Sequence, residues 1–234
     1  MYSANPIFRE HTLPEIVQNQ VSRALGESEL LPVRQRLYQS GEMRLSPTSP
    51  WRAFRAVHDA DLVDVSFRWA ARMRLAPLIW LEAVDEFDGE QGALNCRLWG
   101  RLPLLAADGD DIAIGQAMRY LAELPLTPHA ILSNTQLRWH HLAQNRVEVT
   151  ARVCETRVRV RLGFDASGDI TTAYAPDRPR SVKGRIYRTA WQGTFGDYRE
   201  ISGVRVPTRA EATWQLPDGP FTYWRCAVTD LRFG

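Results

Sequence analysis

The sequence predicts a mainly β protein of the α+β class, with one antiparallel sheet of about ten strands curled around a central helix. Three observations carry this expectation. Apolar and polar residues alternate over most of the chain from Val33 onward. The alternating runs are joined mostly by loops of hairpin length, which favours an antiparallel meander. One convincing helical period interrupts them, over residues 110–124.

The chain has 234 residues, 44% hydrophobic and 24% charged. That composition fits a globular protein with a sizeable core, read as a single domain over 1–234. Residues 1–31 form a peripheral helical segment of it, and residues 33–234 the curved sheet with its helix. A net charge of +2 gives no footprint for nucleic acid. Cys96, Cys154 and Cys226 lie far apart without metal or disulfide spacing. Together with the lack of a secretory pattern in MYSANPIFRE, they lead us to expect reduced thiols and a cytoplasmic setting. No apolar run reaches the ~18 residues of a membrane span.

Leu13, Ile16, Val17, Gln20, Val21 and Ala24 recur at helical spacing before Gly26, which predicts an amphipathic helix lying on the sheet. Thr12 and Glu15 have the spacing of a capping box. From Val33 the period is two, with Gly41 expected at a bulge and SPTSP (46–50) as a turn. Trp51–Ala60 follows. In the next strand Phe67, Trp69, Ala71, Met73 and Leu75 share one face, while Arg68, Arg72 and Arg74 share the other. Residues 79–87 and 93–101 flank the hairpin loop DGEQG.

In the central helix Asp110 or Asp111 suits the positive end of the dipole. Ile114, Ala117, Met118, Leu121 and Pro125 form an apolar stripe opposite Gln116, Arg119, Tyr120 and Glu123. Pro125 and Pro128 are expected to stop the helix. Alternation resumes over residues 137–141, 147–153 and 158–164. The basic segment 176–190 reads as a long loop or edge strand, and strands return from Trp191 to the end.

RYLAELPLTPHAIL, the following LRW strand, the GFDASGDI hairpin, Arg178 and WQGTFGDYREISGVRVPTRAEATWQL together resemble a bacterial family of unknown function. Its members carry an RYLxE helix and a terminal W…dY…G…iP…v.W pattern. The matching positions are Arg119, Tyr120, Leu121, Glu123, Pro128, Ala130, Trp139, Arg178, Trp191, Asp197, Tyr198, Gly203, Pro207 and Trp214. Leu126 and Thr127 stand where the family has an aromatic, and His129 where it has Thr. Such chains look like the curled half-barrels of bacterial lipoprotein carriers, in which helices plug a cup. The resemblance therefore implies a half-barrel with the central helix inside it.

Arg119 and Glu123, one turn apart, make either a solvated ion pair worth roughly 0.3–0.5 kcal/mol or a polar face turned into the cup. In the second case Glu123 can act as general base, His129 or Tyr120 as acid, and Arg119 as clamp for developing negative charge. His140 and His141 point to opposite faces of a strand and cannot share a metal. No metal-ligand spacing, serine-nucleophile motif or phosphate loop is present, so no metal and no cofactor is expected. Arg157, Arg159 and Arg161 line one strand face, as a solvated surface or an anion contact. Asp197 either orients a His, accepts from Arg178 or serves the turn.

Eight tryptophans are many for this length. We expect Trp69, Trp99, Trp139, Trp191 and Trp214, with Arg178, Asp197 and Tyr198, around a hydrophobic small-molecule ligand. Two main readings follow. The first is a cofactor-free isomerase, cyclase, lyase or hydrolase acting on that ligand. The second is a non-catalytic carrier or sensor of it. A third uses the basic 176–190 segment to bind a protein. Oligomeric state is not readable from the residues.

Overall fold

The computed structural model describes residues 13–27, 30–182 and 184–234. A first helix, α1 (Glu15–Leu25), buries Val17, Gln20, Val21, Ala24 and Leu25. Its capping differs from expectation. Thr12 lies outside the described residues, and Pro14 holds the N-cap position without a side-chain bond, so Glu15 is the first helical residue rather than the third. Gly26 ends the helix at φ 58°, a left-handed conformation that glycine adopts without steric cost.

Among the described residues thirteen strands follow, rather than about ten. They are β1 (Arg34–Met43), β2 (Arg52–Asp61), β3 (Phe67–Ala76), β4 (Ile79–Phe87), β5 (Gly92–Leu98) and β6 (Leu102–Ala107). After a helical segment come β7 (Arg138–Ala143), β8 (Arg146–Val153), β9 (Thr156–Phe164), β10 (Ile170–Val182), β11 (Arg185–Ile201), β12 (Val204–Leu216) and β13 (Gly219–Phe233). The short, uniformly apolar LPLLAA of β6 has no alternation to betray it. The basic segment is neither loop nor edge: it is the tip of the β10–β11 hairpin, inside the sheet order. A register shift between Ala175 and Arg178 accommodates Pro176, which has no N–H for a ladder.

All thirteen strands form one antiparallel sheet, ordered β6-β5-β4-β3-β2-β1-β13-β12-β11-β10-β9-β8-β7. Every neighbour is a sequential hairpin except β1–β13, which join two meandering arms at the middle. The sheet is open, and its two edges, β6 and β7, are consecutive in the chain. The segment between them must therefore cross from one edge to the other. It does so on the concave side as α2 (Asp110–Ala122), a 3-10 turn (Leu124–Leu126) and α3 (Pro128–Ser133). α2 touches β4 and β5 on one arm and β8, β9 and β10 on the other. Thirteen residues at ~1.5 Å each make a rod of about 20 Å spanning the cup.

α2 packs backbone against backbone at Gly92, where a Cβ would lie 2.7 Å from the Ala113 Cα. Gly41 also serves close packing, not a bulge. The register shift of β1 lies at Tyr38/Gln39, and a Cβ at Gly41 would strike the Phe54 ring at 2.8 Å. The two-faced α2 of the sequence becomes a helix enclosed nearly all round, with Gln116 and Tyr120 as buried as Ala117 and Leu121. Only one predicted stop acts as such. The helix ends at Ala122 ahead of Pro125, while Pro128 opens α3, its fixed φ suiting a first turn. α1 lies against α3 and β12.

Outward-facing arginines are laced to acids across strands: Arg36–Asp59, Arg68–Glu86, Arg72–Glu82 and Arg225–Glu42. Arg157, Arg159 and Arg161 are exposed, the latter two paired with Asp177 and Glu148. Among the described residues, no helix is long and apolar enough to cross a membrane.

Candidate functional site

The concave side holds a cavity of about 110 Å³ between α2 and the middle of the sheet. Its apolar walls are Met43, Trp69, Leu126, Trp191, Phe195, Tyr223 and Trp224, with Ala210 and Ala212 at the floor. Its polar groups are Asp85, Arg119, Glu123, Arg178 and Glu211. Alternation brings these residues together, since inward positions of β1, β3, β4, β11, β12 and β13 converge on one side of the sheet. Trp69 Nε1 donates to Gln39 Oε1 (2.9 Å) and Trp191 Nε1 to Tyr223 Oη (3.1 Å). Their N–H groups are thereby satisfied.

A much larger hollow, about 1240 Å³, lies at one end of the sheet. Charged residues such as Arg36, Asp59, Arg68 and Glu86 line it together with Tyr38, Phe67, Phe87 and Phe233.

Arg119 and Glu123 form neither a solvated pair nor a simple one. Arg119 Nε donates to Glu123 Oε1 (2.9 Å) and Nη1 to Asp85 Oδ2 (2.6 Å) on β4. Gln116 Nε2 donates to the other Asp85 oxygen at 2.9 Å. The guanidinium lies over the rings of Phe67 (5.1 Å) and Trp69 (5.0 Å). The Arg119 and Glu123 side chains are only 12% and 15% exposed. Burial pushes the Glu123 carboxyl up, but the charges of Arg119 above all and of Arg178 outweigh it and hold it below its usual range. Burial likewise lowers Arg119, and the two acids more than restore it. Both residues are ionised.

His58, on β2, was not among the expected site residues. Its ring is buried, with Nε2 3.4 Å from Glu123 Oε2 and no hydrogen bond to either nitrogen. Burial, reinforced by Arg119, keeps it neutral despite Glu123. His58 and Asp85 each put a polar residue at an inward position of an otherwise apolar strand face. That was the available signal in the sequence.

Of the four residues expected to act as acid, base or clamp, only Arg119 and Glu123 line the cavity. Tyr120 turns away. Its Oη donates to the Asp61 carbonyl (2.9 Å) and accepts from Asn134 Nδ2 (3.0 Å), and burial raises its pKa. His129 is buried edge-on against Phe233, ring centroids 5.0 Å apart, with neither nitrogen hydrogen-bonded and its pKa lowered by burial. The acid–base set thus does not converge on one void.

Of the expected ligand-binding residues, Trp69, Arg178 and Trp191 line the cavity and five do not. Trp214 stands beside it, stacked on Tyr223 at 6.0 Å. Trp99 occupies the β5–β6 turn at φ 53°, half exposed, rather than a strand. Trp139 is on the edge strand β7. Asp197 sits at a positive-φ position of β11, paired with Arg209 at 3.6 Å rather than with Arg178. Tyr198 donates to the Ile170 carbonyl at 2.7 Å, away from the cavity. Among the described residues no cluster of three His, Cys, Asp or Glu could hold a metal ion.

The model of a family described as of unknown function, DUF6544, matches residues 9–226. The chain belongs to the DUF6544 family. This is the assignment that the RYLxE helix and the terminal tryptophan pattern anticipated. No curated protein sequence matches this DUF6544 chain.

Solved structures share its fold at low identity. A domain from Vibrio parahaemolyticus named for outer-membrane lipoprotein sorting is 14% identical, with TM-score 0.52, covering 94% of this chain and 91% of its own. A LolA superfamily protein from Nitrosomonas europaea is 10% identical, with TM-score 0.48, covering 94% and 92%. The half-barrel architecture of this DUF6544 member accords with the first of these.

Proposed function

We propose that this DUF6544 protein is a non-catalytic carrier or sensor that holds a hydrophobic molecule on the concave side of its sheet. The observation that carries the reading is the aromatic-walled cavity between α2 and the sheet, whose buried indole N–H groups at Trp69 and Trp191 are already satisfied by the protein. The aromatic part of the wall presents flat apolar faces and suits apolar matter, while Arg119 and Glu123 are already paired with each other. The fold shared with a domain named for lipoprotein sorting supports the same reading.

Cofactor-free acid–base chemistry is less well served. Glu123 is engaged by Arg119, while Tyr120 and His129 lie outside the cavity. A catalytic base must reach the proton it abstracts, and a matching acid is missing from this wall.

The test is native mass spectrometry of freshly purified protein with solvent extraction of its ligand, followed by titration of the emptied protein with 1-decanol while tryptophan fluorescence is read. A co-purifying apolar molecule, returned chemically unchanged after incubation, is expected, as is a saturable response of the emptied protein. Ligand-free protein with no saturable response overturns the reading, and conversion of the extracted molecule restores the enzymatic one.

A further inference from the structure

Two arginines of the β10 tip lie over tryptophan rings, and one of them, Arg178, lines the cavity. Arg178 lines the cavity, half-buried, with its guanidinium over the rings of Trp191 (4.8 Å) and Trp214 (5.6 Å). Arg180, two residues along the same strand, lies over Trp214 at 5.7 Å. Outward Arg36, Arg68, Arg72 and Arg225 reach across to acids, whereas Arg44 lies over Trp51 and Phe221 with backbone carbonyls as its acceptors. Arg119, inside the cup, is saturated by Asp85 and Glu123. Arg178 Nε donates to the Gly115 carbonyl at 3.3 Å; among the described residues no acid lies within ion-pair distance of it or of Arg180, while its charge helps hold Glu123 ionised. Stacking on an indole fixes the plane of a guanidinium and leaves its in-plane fork available to a carboxylate or phosphate.

Volume narrows the tail. A void of about 150 Å³ holds one benzene-sized molecule. The cavity here, about 110 Å³, has room for a segment of one chain beside Met43, Leu126 and Trp224, not for several chains side by side.

Resting on the apolar-ligand reading above, we infer that the ligand is a single-tailed anionic amphiphile, its carboxylate or phosphate head clamped by Arg178 with Arg180 beside it and a segment of its tail in the cavity. Arg178 stands on β10 with its Nε on the Gly115 carbonyl of α2, while Asp85 and Glu123 in the same lining are already engaged by Arg119. Arg178 matches an isolated arginine of the family pattern, yet its assignment here comes from stacking and the missing acid partner.

The experiment compares dodecanoate, dodecyl phosphate, didodecyl phosphate, 1-dodecanol and dodecyltrimethylammonium, each below its aggregation concentration, by calorimetry on ligand-stripped protein. The wild type and the variants Arg178→Gln and Arg178→Lys are used. The expected result is binding of at least one single-tailed anion at least tenfold tighter than the alcohol or the cation. That preference is lost in Arg178→Gln and partly kept in Arg178→Lys. The tighter of dodecanoate and dodecyl phosphate identifies the head group.

Alcohol binding as tight as the anions, or a preference surviving Arg178→Gln, overturns the clamp while leaving the apolar site standing. Didodecyl phosphate binding as tightly as dodecyl phosphate overturns the single tail. Failure of every compound to bind removes the apolar-ligand reading as well. Should Arg178→Gln not fold, the wild-type series alone decides, because charge preference is read there first.

Discussion

Arg119 on α2 reaches Asp85 on β4 at 2.6 Å, and this contact ties the helix crossing the cup to the N-terminal arm of the sheet. The other face of the helix rests on β8, β9 and β10, so the ion pair and the apolar packing hold it from opposite sides. Removing the cation while leaving both acids is the most damaging change to such a network, because it strands two buried carboxylates. Arg119→Met is expected to lower stability by about 3–5 kcal/mol. Glu123→Gln keeps shape and one hydrogen bond, and a cost of about 1–3 kcal/mol is expected. Urea unfolding of the two variants checks the order. Equal midpoints for Arg119→Met and wild type would remove the network from the account of how α2 is held.

Acid should loosen this fold before its carboxylates titrate. His58 and His129 are held below the usual histidine range by burial; for His58 Arg119 adds to the effect, while Glu123, Asp59 and Asp85 oppose it. A depressed folded-state pKa means that the unfolded chain binds the extra proton first. The stability is complete above the unfolded value of ~6.5 and declines as pH falls toward the folded values. Glu123 is also depressed, so its contribution is complete above its unfolded value of ~4.3 and is lost as pH falls from there through the lower folded value. Melting temperatures at pH 7.5, 6.5 and 5.5 should fall in that order, with a shallower fall in His58→Gln. A flat profile in the wild type would contradict the neutral, buried imidazoles.

The close seat of α2 gives a steric prediction. A methyl group at Gly92 meets the backbone of Ala113 at 2.7 Å, and neither chain can yield without moving the helix or the strand. Gly92→Ala is expected to cost about 1–3 kcal/mol. Gly196→Ala, where a Cβ has nothing within 4 Å, is the control and should stay within about 0.5 kcal/mol. Thermal unfolding of the pair decides it, and equal losses would mean that helix seating is not what Gly92 provides.

The architecture was legible wherever burial is one-sided. β3, with Phe67, Trp69, Ala71 and Met73 inward and arginines outward, announces itself by alternation, as does β9 with Val158, Val160 and Leu162. β6 lacks alternation, and the β10–β11 tip carries prolines and arginines, so both escaped a reading that depends on it. The period shows the helix, and its polar stripe admits either a solvated pair or a face turned into the cup, without naming the partners that meet it there. A stripe of Gln116, Arg119 and Glu123 looks the same in water or opposite an inward Asp85, and partners contributed by β2 and β4 are set by the sheet's curvature. His129 shows the converse: a chemically capable residue after a proline lies sealed against Phe233, because α3 continues where the prolines suggested a loop.

If the cavity beside α2 is where ligand sits, filling it should abolish binding without harming the fold. Ala212 lies at its floor, buried, with its side chain on the inward face of β12. Ala212→Met extends a flexible, apolar side chain into the void, and changes of this kind commonly add about 0.5–2 kcal/mol when the volume fits. The expected variant melts at or slightly above the wild-type temperature and has lost at least tenfold in affinity for 1-decanol. Overpacking would show as a lower melting temperature and is distinguished by the smaller Ala212→Val. Affinity unchanged in a well-folded Ala212→Met would move the binding site away from this cavity, toward the larger hollow lined by Arg36, Asp59, Phe67 and Phe233.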